Sequence, residues 1–275
     1  TYVSSQRNFK TGLSCRRSAR VVRWKRPHGL APWWRRRRVV VFYRLDPQVA
    51  AQHVPVPFKP LLVDGSAVGC VNLMRICDLR PHYAPSALGV DSENAEHRIA
   101  VTWAEDGVHK EGYFAPLRHT NSRLKMIAGH WLSPGHLEYA KFKVSEADDY
   151  LHMKLKNGDG SQQVGLSGQI LDDDFPFDSV FRTMSEAVAF AQRMTTAYCL
   201  DEDEGCFDGV TMVTEQTEQM ACRHLSLEHM SSSYFSNNSM FPGDSAKLDA
   251  ALVHYQLDAV WEPCLRLPAA TMQTA

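Results

Sequence analysis

Residues 93–120, ENAEHRIAVTWAEDGVHKEGYFAPLRHT, decide the fold class, because their polarity repeats with a period of two on either side of a Gly turn. In an extended chain successive side chains point to opposite faces of the sheet. One face of the first half then carries His97, Ile99, Val101 and Trp103; the other carries Asn94, Glu96, Arg98, Ala100 and Thr102. The turn Glu105-Asp106-Gly107 ends the run, and GYFAPLRHT at 112–120 reads as the antiparallel neighbour.

Working outward, the same signals recur. VVVFYRL at 39–45 is β-branched and aromatic, and DPQVAAQHVP after it opens a short helix with Asp46 and Pro47 and closes it before Pro55. SAVGCVNLMRICDLRP at 66–81 is an apolar run behind the turn Asp64-Gly65, and YLHMKLK with Asn157-Gly158-Asp159-Gly160 and VGLSGQI forms a further hairpin. VTMVTEQ, RHLSLEHMSSSYF and a final run KLDAALVHYQLDAVW complete the strand-like segments. Two stretches change period. In TNSRLKMIAGHWL, Leu124, Ile127, Ala128 and Trp131 fall at helical spacing behind Asn121 or Ser122 as cap, which places Lys125 off the apolar stripe and in solvent. SEAVAFAQRMTTAY is a second such helix, with Ser185 as its cap. Many strands, few helices and no βαβ alternation predict an α+β fold built on a mainly antiparallel sheet or barrel.

The chain has 275 residues, 44% of them hydrophobic and 22% charged, and no apolar run approaches the ~18 residues that cross a bilayer. Its net charge of −1 conceals a division: residues 1–45 hold 13 Lys and Arg and no acid, leaving 17 Lys and Arg against 31 acids beyond them. The basic leader, with RRSARVVRWKR and WWRRRRVV, has three readings: a disordered extension, an organelle transit peptide, or an arm for anionic surfaces. Localisation is accordingly cytoplasmic, or organellar if the leader is a transit peptide. No nucleic-acid motif follows it, and none of the Walker, GxGxxG, GxSxG or HExxH patterns occurs. Seven cysteines without a CxxC pair are expected to be reduced thiols.

HWLSPGHLEYAKFKV, residues 130–144, concentrates polar chemistry around a Ser-Pro-Gly turn. As a strand beyond Pro134 it sets His136, Glu138, Ala140, Phe142 and Val144 on an inward face, with Leu137, Tyr139, Lys141 and Lys143 on the other. His130 and His136, six residues apart, share neither a helix face nor a strand face, so no metal site is expected.

The ordered set RVVVFYRLDPQVAAQHVP, NAEHRIAVTW, GYFAPLRHTNS, AGHWLSPGHLEYAKF, SSSYF with FPGDS, and LDAALVHYQLDAVW resembles a group of acetoacetate decarboxylase-like proteins. The resemblance spans about residues 39–263, between a basic leader at 1–38 and a tail at 264–275. It implies a closed or nearly closed, mainly antiparallel β-barrel with a few peripheral helices and a buried active site. The best-known members join a lysine to a β-keto acid as a Schiff base, the amine discharged by an adjacent lysine. Those paired lysines follow a proline directly, where this chain has Gly135 and His136 after Pro134; Lys125 comes too early, and Lys141 and Lys143 too late. The resemblance thus implies a fold without imine catalysis and without a cofactor.

It also implies that the face bearing Asn94, Glu96 and Arg98 looks into the barrel. There Asn94, Arg98, Arg118 and His136 are expected to bind a small carboxylate or keto acid, while Glu96 and Glu138 exchange protons with it. The competing reading makes Glu96 and Arg98 a surface ion pair, with His97, Ile99, Val101 and Trp103 as the core face. The functional alternatives are an enzyme acting on a small carboxylate, a non-catalytic ligand-binding barrel, and a structural member of the fold. Self-association is left open.

Overall fold

The structure is a computed structural model that describes residues 37–79, 85–127, 136–147, 149–172, 175–214, 222–255 and 259–269. Its elements run β1 (Arg37–Leu45), α1 (Pro47–Gln52), β2 (Lys59–Pro60), β3 (Leu62–Val63), β4 (Ser66–Leu79), β5 (Val90–Glu105), β6 (Val108–Thr120) and α2 (Arg123–Ile127). They continue with β7 (Glu138–Ala147), β8 (Tyr150–Asn157), β9 (Gln163–Leu171), α3 (Met184–Arg193), β10 (Thr196–Asp201), β11 (Cys206–Thr214), β12 (Cys222–Ser232), β13 (Ala246–Tyr255), β14 (Ala259–Pro263) and β15 (Leu267–Pro268).

Turn chemistry fixes the register of the hairpins. Asp106 and Gly107 adopt φ of 50° and 78°, and Asp64 and Gly65 adopt 46° and 78°. Each pair closes a two-residue loop, with Glu105 opposite Val108 and Val63 opposite Ser66. Asp46 caps α1, its carboxylate accepting from the backbone N–H of Gln48 and Val49 at 2.8 and 3.0 Å.

The strands form one sheet that closes on itself through the ring β6-β7-β8-β9-β12-β13-β1-β4-β5, with β10, β11, β14 and β15 branching from β6. The expected closed barrel with few helices is borne out. It is mixed rather than purely antiparallel, since β6 pairs in parallel with both β7 and β10. The run 247–261 is two strands: β13 lies between β1 and β12, and β14 pairs with β11.

Three boundaries differ from expectation. The strand that was to begin at Val39 begins at Arg37, because both arginines find partners: Arg37 donates to Glu93 and Glu146 at 3.0 and 2.7 Å, and Arg38 Nε donates to Asn72 Oδ1 at 2.9 Å. Leu267 and Pro268, expected in a tail, add β15 to β11. Helix α3 starts after Thr183, not Ser185, since Thr183 is still extended (φ −136°, ψ 154°) and its hydroxyl accepts from Glu186 N–H at 3.2 Å. The rest of the basic leader, and residues 270–275, lie outside the described residues. No described helix is long and apolar enough to cross a membrane.

Two apolar clusters occupy opposite sides of the sheet. The larger one joins Val39 and Val41 of β1, Leu73, Ala95, Ile99 and Trp103 with Leu151, Met153, Leu166 and Leu225. The smaller one gathers Val40, Phe42, Val68, Cys70, Ala100, Tyr113 and Leu252 beneath Phe181 and the Ala187, Phe190, Ala191 and Met194 side chains of α3. Phe42 meets Phe181 and Phe190 edge-on, with centroids at 4.8 and 6.1 Å. This second side holds the polar chemistry.

Candidate functional site

Strand β5 is buried on both sides, so the choice between a core face and a surface face does not arise. His97, Ile99, Val101 and Trp103 face the larger cluster, and Asn94, Glu96 and Arg98 lie buried on the side covered by α3. Across the ladder, Glu96 stands opposite Arg118 of β6 and Asn72 of β4. Glu96 Oε2 accepts from Arg98 Nε at 2.7 Å and also from Arg98 Nη2, while Oε1 accepts from Arg118 Nε at 3.1 Å. Burial pushes this carboxyl up, but the two guanidiniums outweigh it and hold Glu96 at about 2. Held as an anion between two guanidiniums, Glu96 serves as their counter-ion and is poorly suited to the proton exchange expected of it.

Lys125 is the main departure from expectation. Helix α2 turns Leu124 outward, 63% exposed, and buries Lys125 at 4%. Its Nζ donates to Asn94 Oδ1 at 2.7 Å. Asn94 is in turn held by donating Nδ2 to Ser92 O, Ser92 Oγ and Met74 O at 3.1, 3.0 and 3.3 Å. Burial first, and then the charge of Arg118, pulls the amine down to about 7 against the opposing influence of Glu96. The solvated position predicted for Lys125 rested on a helical stripe whose Ala128 and Trp131 fall, with His130 and Pro134, outside the described residues.

A second group of polar side chains adjoins the first. Arg38 and Asn72, bonded to each other, are buried beside Cys70, Tyr113, Cys222 and His254. The Arg98 guanidinium stands 5.2 Å from the centroid of the Tyr113 ring. Burial raises the Cys70 thiol to about 11, raises Tyr113 above its ordinary value, and, together with Arg38, lowers His254 to about 3. Thiol, phenol and imidazole are therefore neutral here, and Cys222 Sγ lies 3.4 Å from His254 Nε2.

The structure brings Asn94, Glu96, Arg98 and Arg118 together and leaves His136 and Glu138 elsewhere. Glu138 pairs with His119, which points to the opposite side of β6 from Arg118; its Oε2 lies 3.4 Å from His119 Nε2. His136 is 79% exposed, 3.8 Å from Glu138. The predicted alternation of 136–144 is present, with Ala140 buried and Lys141 and Lys143 exposed, but it does not reach the β5 cluster. Sequence reasoning missed Arg38, placed in the leader, and Asn72, Tyr113 and Lys125. The available signal was a polar residue, Asn72, inside an apolar run. Among the described residues no group of three or more His, Cys, Asp or Glu is placed to hold a metal ion.

No protein-family profile and no curated protein matches the chain in sequence. Solved structures do match in shape. An acetoacetate decarboxylase from Legionella pneumophila subsp. pneumophila str. Philadelphia 1 superposes with a TM-score of 0.54 at 15% identity, over 90% of this chain and 89% of that one. An acetoacetate decarboxylase-like enzyme from Sphingomonas wittichii RW1 gives 0.55 at 12%, over 92% and 100%. The enduracididine biosynthesis enzyme MppR complexed with pyruvate gives 0.53 at 10%, over 83% and 85%. The chain has the acetoacetate decarboxylase-like fold, and the resemblance read from the order of its segments is borne out at that level.

Proposed function

We propose that the buried side of β4, β5 and β6 binds a small keto acid and that Lys125 is the amine that engages its carbonyl. The observation that carries this reading is Lys125 itself: a lysine buried to 4% exposure, its Nζ positioned by Asn94, beside a cluster of guanidiniums. A lysine that is desolvated, or neighboured by another cation, is uncharged near neutral pH and hence nucleophilic. Its nitrogen lone pair adds to the carbonyl carbon; the carbonyl oxygen takes both amine hydrogens and leaves as water, and a C=N bond remains. Arg98 and Arg118, neutralised in part by Glu96, supply the positive field that a carboxylate seeks. That a neighbour in fold was solved with pyruvate supports the same ligand class.

This reading replaces the expectation of a fold without imine chemistry, which rested on the absence of lysine after Pro134 and on a solvated Lys125. Its test is borohydride trapping with pyruvate, acetoacetate and levulinate, read by peptide mass. A stable adduct at Lys125, absent from Lys125→Met, is expected; adducts scattered over exposed lysines, or none, would refute it. A second reading, a site that holds a carboxylate without reacting, is favoured by the fixed ionisation of Glu96. It predicts ligand-dependent stabilisation with no adduct.

A further inference from the structure

Several exposed cations of this fold hold a carboxylate: Arg182 pairs with Asp64 at 3.1 Å, Arg193 with Glu111 at 2.8 Å and Lys247 with Asp244 at 3.2 Å. The outer face of β7 and β8 differs. Lys141 stands opposite Lys156 and Lys143 opposite Lys154, all four exposed on two successive rungs. None of the four has a carboxylate partner among the described residues. Side chains opposite one another are rooted roughly 5 Å apart, and successive rungs of one face about 7 Å apart, so four ammoniums share a small area and repel.

The surroundings do not relieve that charge. Across the sheet one row runs Lys143, Lys154, Gly165, Ser231 and the other Lys141, Lys156, Gln163, with no acid in either. The acids that flank the rows have other partners. Asp159 accepts from the Ser161 N–H and hydroxyl at 2.9 and 2.8 Å, Glu228 from the Tyr150 hydroxyl at 2.7 Å, and Glu146 from Arg37 at 2.7 Å. Rows without an apolar or aromatic side chain offer no anchor to a protein partner and no platform for stacked bases. What they complement is an extended array of anionic groups, which lysine meets as a mobile point charge. The chain adds to this charge from its basic leader. The 13 cations of residues 1–45 come without an acid, and of these only Arg37, Arg38 and Arg44 belong to β1. The others precede Arg37, whose bond to Glu146 brings the start of β1 close to the end of β7.

We propose that this face docks the protein on the surface of an anionic phospholipid bilayer, with Lys141, Lys143, Lys154 and Lys156 against the headgroups. Beyond residue 45 the chain holds 17 Lys and Arg against 31 acids, so the attraction belongs to this face and the leader and reaches about a Debye length, ~10 Å at 0.1 M salt. The test is sedimentation of the full chain with vesicles of phosphatidylcholine alone or with about 30% phosphatidylserine, at roughly 0.1 and 0.5 M salt. Binding is expected to the anionic vesicles and at the lower salt. Each lysine is worth about fivefold in partitioning, so Lys143→Glu with Lys154→Glu should weaken binding at least about tenfold. Lys59→Glu with Lys110→Glu makes the same charge change at exposed lysines off this face and should cost less than about threefold. Circular dichroism checks folding; should the Lys143 and Lys154 double variant not fold, Lys154→Glu against Lys59→Glu carries the comparison. A loss no greater than the control's, or wild type that ignores anionic vesicles, would overturn the proposal. So would an oligonucleotide that is preferred over lipid phosphate and whose binding is lost in the same variant, since the face would then serve nucleic acid.

Discussion

At the scale of single residues, burial has opposite outcomes at two groups of one cluster, Glu96 on β5 and Lys125 on α2. Burial alone would neutralise both Glu96 and Lys125, but Glu96 has two guanidiniums in contact and stays charged, whereas Lys125 has a neutral amide as its partner and a cation nearby. The lysine leaves a signature in stability. In the unfolded chain its amine holds a proton up to about pH 10.4, while in the native chain it releases it near 7. Between those values the unfolded state binds more protons, so stability rises with pH. Urea denaturation at pH 7, 8.5 and 10 should show the wild type gaining on the order of 3 kcal/mol relative to Lys125→Met, one pKa unit being worth about 1.4 kcal/mol, while the buried thiols, which lose stability over the same range, cancel in that difference. A slope unchanged by the substitution would place the amine in solvent.

At the scale of elements, alternation and turn chemistry worked where the helical stripe failed. Strands β5 and β6, their Asp106-Gly107 turn, α1 with its Asp46 cap and the hairpin of β8 and β9 were legible, because each is decided by neighbours in sequence. In α2 a helix of five residues has too little periodicity to say which side is buried, and the Asn94 carboxamide, 31 positions away, decides it. The exposed side of β7 and β8 shows another device legible only from register. Lys141 is paired with Lys156 and Lys143 with Lys154, all four exposed. Like charges directly opposite one another repel. Lys154→Glu should therefore stabilise the protein by roughly 0.5 kcal/mol at low salt, an effect that 1 M salt removes by screening. Thermal unfolding at the two salt concentrations measures it, and destabilisation at low salt would contradict the argument.

At the scale of the molecule, acid should unfold this protein before most carboxylates are protonated. His97 and His254 are buried and held at about 3, both chiefly by burial. Unfolded imidazoles bind protons near 6.5, so as pH falls from 6.5 toward 3 the unfolded state takes up protons that the native state refuses, and stability falls. Glu96 extends the loss below about 4.5, since its native value of about 2 keeps it ionised where the unfolded chain has taken up a proton. Circular dichroism should report unfolding well above pH 3, and full native signal at pH 3 would rule this out. By itself the sequence determined the antiparallel hairpins and the shared strand face of Asn94, Glu96 and Arg98, because period-two alternation and turn chemistry are local properties; the closed barrel and the addition of Arg118 came with the family resemblance. The sequence could not assign Arg38, Asn72, Tyr113 and Lys125 to that group, nor remove Glu138 and His136 from it. Those placements depend on which strands meet across a closed sheet and on which charges burial leaves in contact, and closure joins positions that lie far apart in the chain.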